Sequence, residues 1–147
     1  MADVASNRKA AYRYHLMDTW ECGLVLTGTE VKSLREGKAQ LKDGYAAVQN
    51  GEVWLHNVHI PPYAPATREN HEPERPRKLL MHRREIERLI GKTKEKGLTL
   101  VPTRLYFKDR HAKVEIALAR GKDVGDKRQT IKEREMKREM DRATRRR

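Results

Sequence analysis

Few side chains in this sequence are spaced for chemistry on a small molecule. Gly91-Lys92-Thr93 looks like the end of a phosphate-binding loop, but such a loop needs a glycine five residues earlier, where this chain has Ile86. His56 and His59 are the most closely spaced histidines, and a spacing of three in a strand sends them to opposite faces. No serine has a His/Asp partner at a readable spacing. The sequence therefore predicts no catalytic residue, no metal site and no cofactor.

The chemistry that the residue types do favour is phosphate binding. The chain has 33 Lys/Arg against 21 Asp/Glu, a formal net charge of +12 and a pI of about 10.0. Residues 121–147 alone hold eleven Lys/Arg and six Asp/Glu, and the rest of the chain is also basic. A basic surface this wide predicts a polyanionic partner, with nucleic acid ahead of an anionic membrane. No apolar run is long enough to span a bilayer, so a membrane role is not predicted.

The segment 121–147 is predicted to be a basic tail that meets a polyanion. On a helical wheel, Lys127, Arg134, Arg138 and Arg145 lie within about 20° of one direction. The segment has no wide apolar stripe with which to pack on a core. A polar helix of this kind is marginal in water, so we expect the tail to be disordered or helical on binding. Charge alone leaves open an idle, solvated tail.

Composition limits the size of the core and favours one cellular compartment. The hydrophobic fraction is 37%, below the roughly 45–50% of typical globular domains. We expect a flexible N-terminus at 1–12, one domain at 13–120, and the tail at 121–147. The single cysteine, Cys22, cannot form an internal disulfide, and the N-terminal residues have no apolar export-signal core. These features predict a cytoplasmic protein.

Short antiparallel strands dominate the predicted elements. Asn50-Gly51 between two strand-like runs is a strong signal for a hairpin with a type I′ turn. The other predicted elements are a strand at 13–26, a helix at 30–37 capped by Thr29, a loop at Pro61–Arg77, a helix at His82–Lys96, and strands at 98–107 and 112–119. This order predicts an OB-fold-like β-barrel with flanking helices, of the α+β class, followed by the basic tail.

Four predictions concern the faces of these elements. The second hairpin strand is expected to place Trp54, His56, Val58 and Ile60 on one face. Apolar parity switches near Pro102, which predicts an edge position or a bulge. The buried stripe of the helix is expected to consist of Leu79, His82, Ile86, Leu89 and Ile90. A surface is also predicted at which phosphate-binding cations (Arg75, Arg77 and Lys78) precede Leu79-Leu80.

Five segments, taken in order and spacing, resemble the small protein B family, the tmRNA-binding (SsrA-binding) proteins of bacterial trans-translation. They are GTEVKSLREGKA at 28–39, RKLLMHRREIERLIGK at 77–92, GLTLVPTRLYF at 97–107, KVEIALARGK at 113–122 and DKRQTIKERE at 126–135. The resemblance extends from Asn7 to about Glu135. It implies an OB-like barrel with flanking helices and a C-terminal tail, in agreement with the strand pattern.

The resemblance also implies a role as an RNA-binding adaptor of ribosome rescue rather than as an enzyme. Such a protein binds the tRNA-like domain of tmRNA (SsrA RNA) and stands in for the missing anticodon arm. With elongation factor Tu, it delivers alanyl-tmRNA to 70S ribosomes stalled without a codon. The residues themselves leave open a general OB-type RNA-binding or ribosome-associated protein.

The family's RNA contacts correspond to four residues of the barrel and to the tail. The implied tmRNA contacts are Asn7, Glu21, Leu80 and Lys113. An amide or a carboxylate can read a base edge, a leucine can cover an unstacked base, and a lysine can anchor a phosphate. The implied ribosome contacts, at 16S rRNA in the decoding centre and at the mRNA channel, are Asp126, Lys127, Arg128, Arg134 and Arg138.

Overall fold

The computed structural model describes residues 3–66, 70–94 and 97–121, together with residue 138. The elements in chain order are β1 (Asp3–Ser6), α1 (Ala10–Arg13), β2 (Tyr14–Leu24), α2 (Gly28–Arg35), β3 (Tyr45–Gln49), β4 (Glu52–His56), β5 (Arg77–Leu80), α3 (Arg83–Thr93), β6 (Leu98–Lys108) and β7 (His111–Gly121). Within these ranges every helix is too short or too polar to cross a bilayer.

The strands form one antiparallel sheet that closes into a barrel. Their order is β1-β6-β3-β4-β5-β2-β7, and β6 also pairs with β7. Six strands therefore form a closed ring, and β1 is added to β6 outside it. Closure gives each strand of the ring a partner on both sides, which protects sheet edges from pairing with other chains. The predicted OB-like barrel with flanking helices is confirmed.

Alternating residues of the strands fill the barrel. Val114, Ile116 and Leu118 of β7 point inward, as their spacing predicted, and meet Val53 and Leu55 of β4 in a single cluster. The predicted bulge is also confirmed, because the β6–β7 register shifts between Pro102 and Arg104. This shift lets β6 stay paired with β7 along its whole length while its apolar parity changes.

The two long strands β2 and β7 form the ladder that later positions the candidate site. At one end of this ladder Tyr14 pairs with Gly121, and near the other end Gly23 pairs with Lys113. Gly23 pairs on its other side with Leu80 of β5. Because β2 lies between β5 and β7, residues of all three strands lie close together on the outer face of the barrel.

The β3–β4 hairpin has the predicted turn. Asn50 and Gly51 have φ values of 52° and 75°, as a type I′ turn requires. The prediction for the following residues was wrong. Asn57 has a φ of 59° and ends the regular alternation, so that Val58 and Ile60 are completely buried, whereas Trp54 and His56 are only partly buried. A left-handed residue reverses the side-chain parity, and alternation in the sequence cannot register it.

The N-terminal segment that the sequence predicted to be flexible contains β1 and most of α1. Asp3–Ser6 pair with β6, and the N–H of Asn7 donates to the carbonyl of Thr103 at 2.8 Å. Ala10 is 2% exposed and packs against Val101 in a small second cluster. The sequence did not predict these elements because polar composition does not reveal which backbone groups find hydrogen-bond partners.

Two helix predictions were wrong, one on the N-cap of α2 and one on the buried face of α3. Thr27, not Thr29, is the N-cap of α2, and Glu30 accepts the N–H of Thr27 at 2.8 Å. His82 is the exposed N-cap of α3, and of the predicted buried stripe only Leu89 is fully buried on this helix. The helix rests on the barrel along a narrow line, so fewer of its residues are covered than its periodicity indicated.

The predicted loop Pro61–Arg77 ends earlier than expected because Arg77–Leu80 form β5. Arg77 is completely buried, and its Nε donates to Glu30 Oε2 at 2.5 Å. Arg75 donates to Glu30 Oε1 at 2.6 Å, and Leu79 is buried in the core. The predicted phosphate-binding surface at Arg75 and Arg77 was therefore wrong, because these cations neutralise a carboxylate that is itself fully buried.

Candidate nucleic-acid interface

Three strands bring Glu21, Leu80 and Lys113 to one place on the barrel. Gly23 pairs with Leu80 on one side and with Lys113 on the other, so these residues share a face. Glu21 lies two residues before Gly23 on β2 and therefore points to the same face. Together they line one open pocket of about 340 Å³. The structure thus unites three of the four barrel residues predicted to contact RNA. The start of α3 completes the wall with Met81, His82 and Glu85.

A glycine makes the floor of this pocket. A Cβ atom on Gly23 would lie 3.2 Å from Cβ of Leu80, which is tighter than most real contacts. Leu80 is 53% exposed and presents its apolar side chain to solvent beside that gap. Gly23 was not predicted as a site residue, although a glycine inside a predicted strand is a known sign that a ligand or another chain approaches the backbone.

The carboxylate of Glu21 is held from two sides. Its Oε2 accepts a hydrogen bond from the hydroxyl of Tyr106 at 2.5 Å, and its Oε1 accepts one from Nζ of Lys108 at 3.3 Å. The hydrogen bond from Tyr106 is the main reason why the pKa of Glu21 lies below its ordinary value. Glu21 is therefore ionised at neutral pH and can only accept hydrogen bonds.

Burial and the bond to Glu21 together raise the pKa of Tyr106 to about 12. The phenol of Tyr106 is therefore protonated near neutral pH and donates to the carboxylate. Lys113 lies opposite Tyr106 in the β6–β7 ladder and lines the same pocket as Glu21. The site combines an anionic acceptor, an apolar surface and a cation within a few ångströms of bare backbone. This combination suits an unpaired base next to a phosphate.

Asn7 lies outside this pocket. Its Nδ2 donates to the carbonyl of Pro102 at 3.0 Å and to that of Leu41 at 3.4 Å, which ties the N-terminal segment to the barrel. It lines a different pocket of about 310 Å³ together with Lys9 and Lys42. An RNA contact at Asn7 stays a prediction, and it would belong to a second patch of the surface.

Of the tail residues predicted to contact the ribosome, only Arg138 is among the residues that the structure describes. Arg138 is exposed and has helical backbone geometry. Asp126, Lys127, Arg128 and Arg134 lie outside the described residues. Their predicted contacts with the ribosome stay predictions.

The motif Gly91-Lys92-Thr93, set aside as a nucleotide site, forms the last turn of α3. Nζ of Lys92 pairs with the carboxylate of Asp18 and lies 5.5 Å from the ring centroid of Trp20. The hydroxyl of Thr93 donates to the carbonyl of Leu89 at 2.7 Å. The contacts of Lys92 attach α3 to β2, and the hydrogen bond of Thr93 lies within the helix, so the residues of this motif serve the helix and its packing.

Known proteins are similar to this chain over nearly its full length. A curated relative from Acidothermus cellulolyticus, named SsrA-binding protein, is 64% identical over 144 residues, covering 98% of this chain and 91% of the relative. A protein of the same name from Thermobifida fusca is 65% identical over 144 residues, covering 98% and 90%.

A solved structure supports the same relationship. It is described as "tmRNA-SmpB: a journey to the center of the bacterial ribosome", and it matches this chain with a TM-score of 0.71 and 48% identity. The match covers 84% of this chain and 87% of that one. The family model described as SmpB protein matches residues 4–146. This match, the relatives and the shared barrel show that the chain belongs to the SmpB family.

Proposed function

We propose that this protein binds tmRNA through the pocket lined by Glu21, Leu80 and Lys113 and serves as an RNA-binding adaptor in trans-translation. Membership of the SmpB family and relatives named SsrA-binding protein support this proposal. The observation that carries it is the meeting of three chemically different RNA-binding groups around a glycine, although β2, β5 and β7 lie far apart in the sequence.

Each group would take a different part of an unstacked nucleotide. The Glu21 carboxylate would accept from an amino or imino group on a base edge, which distinguishes bases and repels phosphate. The exposed side of Leu80 would cover the face of the base, and Lys113 would hold a phosphate. A loop of folded RNA offers such a nucleotide, whereas a duplex hides it. This fits recognition of a tRNA-like domain.

The adaptor role would use both ends of the chain. With the barrel on the tRNA-like domain, the protein would occupy the place of the missing anticodon arm. Alanyl-tmRNA would then reach stalled 70S ribosomes with elongation factor Tu. The basic tail, through Asp126, Lys127, Arg128, Arg134 and Arg138, would meet 16S rRNA in the decoding centre and mRNA channel. Its eleven Lys/Arg suit a passage lined by rRNA phosphate.

Competition binding at physiological salt tests the pocket. We expect Glu21→Ala and Lys113→Ala each to weaken binding of tmRNA by about tenfold or more, because each removes a charge-assisted hydrogen bond. Lys38→Ala is the matched control, since Lys38 follows α2, outside this pocket, and its side chain forms an ion pair with the nearby Glu36. Its effect should stay within about twofold.

The same assay separates the proposal from a general RNA-binding module. The unmodified protein should prefer tmRNA over an unrelated folded RNA of equal length. If both RNAs bind equally tightly at physiological salt, phosphate contacts dominate and the proposed function is wrong. Sequencing of RNA that co-purifies with the protein at moderate salt should then also find no dominant tmRNA species.

Gly23→Ala tests whether the floor of the pocket matters. The added Cβ would lie 3.2 Å from Cβ of Leu80, so Leu80 must shift by a few tenths of an ångström. We expect tmRNA binding to weaken by about threefold to tenfold although no contacting atom is lost. Gly28→Ala is the control, since a Cβ there meets nothing within 4 Å. Equal binding by both variants would show that backbone access at Gly23 is not used.

A further inference from the structure

Tyr106 is almost completely buried, yet it contacts a residue of this pocket. Its ring is 2% exposed, yet its hydroxyl reaches the outer face of the barrel and donates to Oε2 of Glu21 at 2.5 Å. We infer that Tyr106 is a positioning residue, which fixes the carboxylate of Glu21 in the orientation that reads a base edge. This inference rests on the proposed function, because it assigns Tyr106 to the same pocket.

The ring of Tyr106 is itself held by charged neighbours. The guanidinium of Arg104 lies 4.5 Å from the ring centroid, a cation–π contact. Arg104 Nε donates to Glu115 at 2.8 Å, and Arg104 Nη1 lies 3.5 Å from Asp3 on β1. The N-terminal strand, β6 and β7 thus all contribute to holding one phenol. The phenol cannot rotate away without breaking contacts on both sides.

The arrangement also compensates for the repulsion between two neighbouring carboxylates. Glu21 pairs directly with Glu115 across the β2–β7 ladder, and like charges in this position repel. Arg104 neutralises Glu115, which leaves the Tyr106 hydroxyl and Lys108 as the groups that hold Glu21. Among the described residues, the ionisable groups facing Glu21 are Tyr106 and Lys108 on β6, Lys113 and Glu115 on β7, and His82 and Glu85 at the start of α3.

A positioned carboxylate has a defined remaining capacity. Each of its oxygens has one hydrogen-bond donor from β6, and each retains a lone pair that points away from that donor. A base must therefore approach from the pocket side, where Gly23 leaves room. A carboxylate free to rotate would accept from several directions and would distinguish bases less well. Tyr106 would thereby contribute to specificity without touching RNA.

The first test uses the free, full-length protein and no RNA. The carboxyl carbon of Glu21 is followed by NMR as the pH is lowered, in the unmodified protein and in Tyr106→Phe. We expect Tyr106→Phe to raise the pKa of Glu21, since the hydrogen bond that chiefly lowers it is lost. Tyr63→Phe is the matched control, because Tyr63 lies in the loop between β4 and β5. An unchanged titration of Glu21 in Tyr106→Phe would overturn the inference.

The second test measures binding to tmRNA near neutral pH. Tyr106→Phe should weaken it about threefold to tenfold, while in a Glu21→Ala background the same change should have no further effect. A purely structural role would weaken binding equally in both backgrounds, and that outcome would overturn the inference. Failure of the proposed function would look different, because then the unmodified protein itself would not prefer tmRNA over an unrelated folded RNA.

Discussion

Removal of residues 125–147 is expected to abolish tagging of stalled chains while tmRNA remains bound. Glu21, Leu80 and Lys113 all precede the deletion and lie on strands of the closed barrel. The tail carries much of the net charge, so the shortened protein should also show a weaker dependence of RNA binding on salt. Tagging is measured in a reconstituted translation system on a message without a stop codon. Binding is measured in parallel on purified tmRNA.

A second variant tests whether loss of positive charge alone explains the effect of the deletion. Replacement of Arg145, Arg146 and Arg147 by glutamine removes three cations from the end of the tail. We expect this variant to tag stalled chains nearly as well as the unmodified protein. If the deletion removes tmRNA binding as well as tagging, the assignment of separate tasks to barrel and tail is wrong.

Arg77→Met is expected to cause the largest loss of stability among single substitutions in the barrel. It leaves the completely buried Glu30 with Arg75 as its remaining charged partner and frees the carbonyls of Val58 and Pro73. Breaking a buried ion pair from one side costs about 3–5 kcal/mol, a large part of the roughly 5–15 kcal/mol that stabilises a small domain. Denaturant unfolding measures the change.

The matched control is Arg83→Met. Arg83 is 93% exposed and lies 3.9 Å from Glu87, a surface pair of the i,i+4 type. Its loss should change the free energy of unfolding by only about 0.5 kcal/mol. A similar small effect of Arg77→Met would show that the buried pair contributes little to folding.

The same ion pair should make stability depend on pH in the acid range. Burial by itself would raise the pKa of Glu30, but hydrogen bonds from Arg75, the Thr27 N–H and Arg77 outweigh burial and lower it. A lowered pKa in the folded state means that the stabilisation is complete above the unfolded-state pKa. It is then lost as the pH falls through the folded-state pKa. Arg77→Met should reduce this loss.

Local signals in the sequence predicted much of the barrel. Asn50-Gly51 specifies a turn by its own backbone preferences, and the alternation of Val114, Ile116 and Leu118 specifies an inward face. The strand β5 was missed because its four residues follow a proline-rich segment and show no alternation. Arg77 was assigned to the surface because burial of an arginine depends on Glu30, which lies far away in the sequence.

The candidate site was harder to predict than the fold. Glu21, Leu80 and Lys113 were singled out by resemblance to a family, and nothing in their spacing places them together. Their proximity depends on the register of three strands, which is set by the closure of the whole barrel. The roles of Gly23 and Tyr106 depend on the same register. Neither could be assigned before the strands were paired.

The β2–β7 ladder also has a mechanical consequence. The pocket lies near the Gly23–Lys113 end, whereas the chain leaves the barrel toward its tail at the Tyr14–Gly121 end. Gly23 lies nine residues after Tyr14 on β2, which is roughly 30 Å at the usual rise of a strand. The barrel therefore holds the candidate pocket and the start of the tail at a fixed separation. A force between the two ends of the β2–β7 ladder acts along the strands and is shared by the hydrogen bonds between them. A movement at one end would therefore be transmitted to the other with little extension.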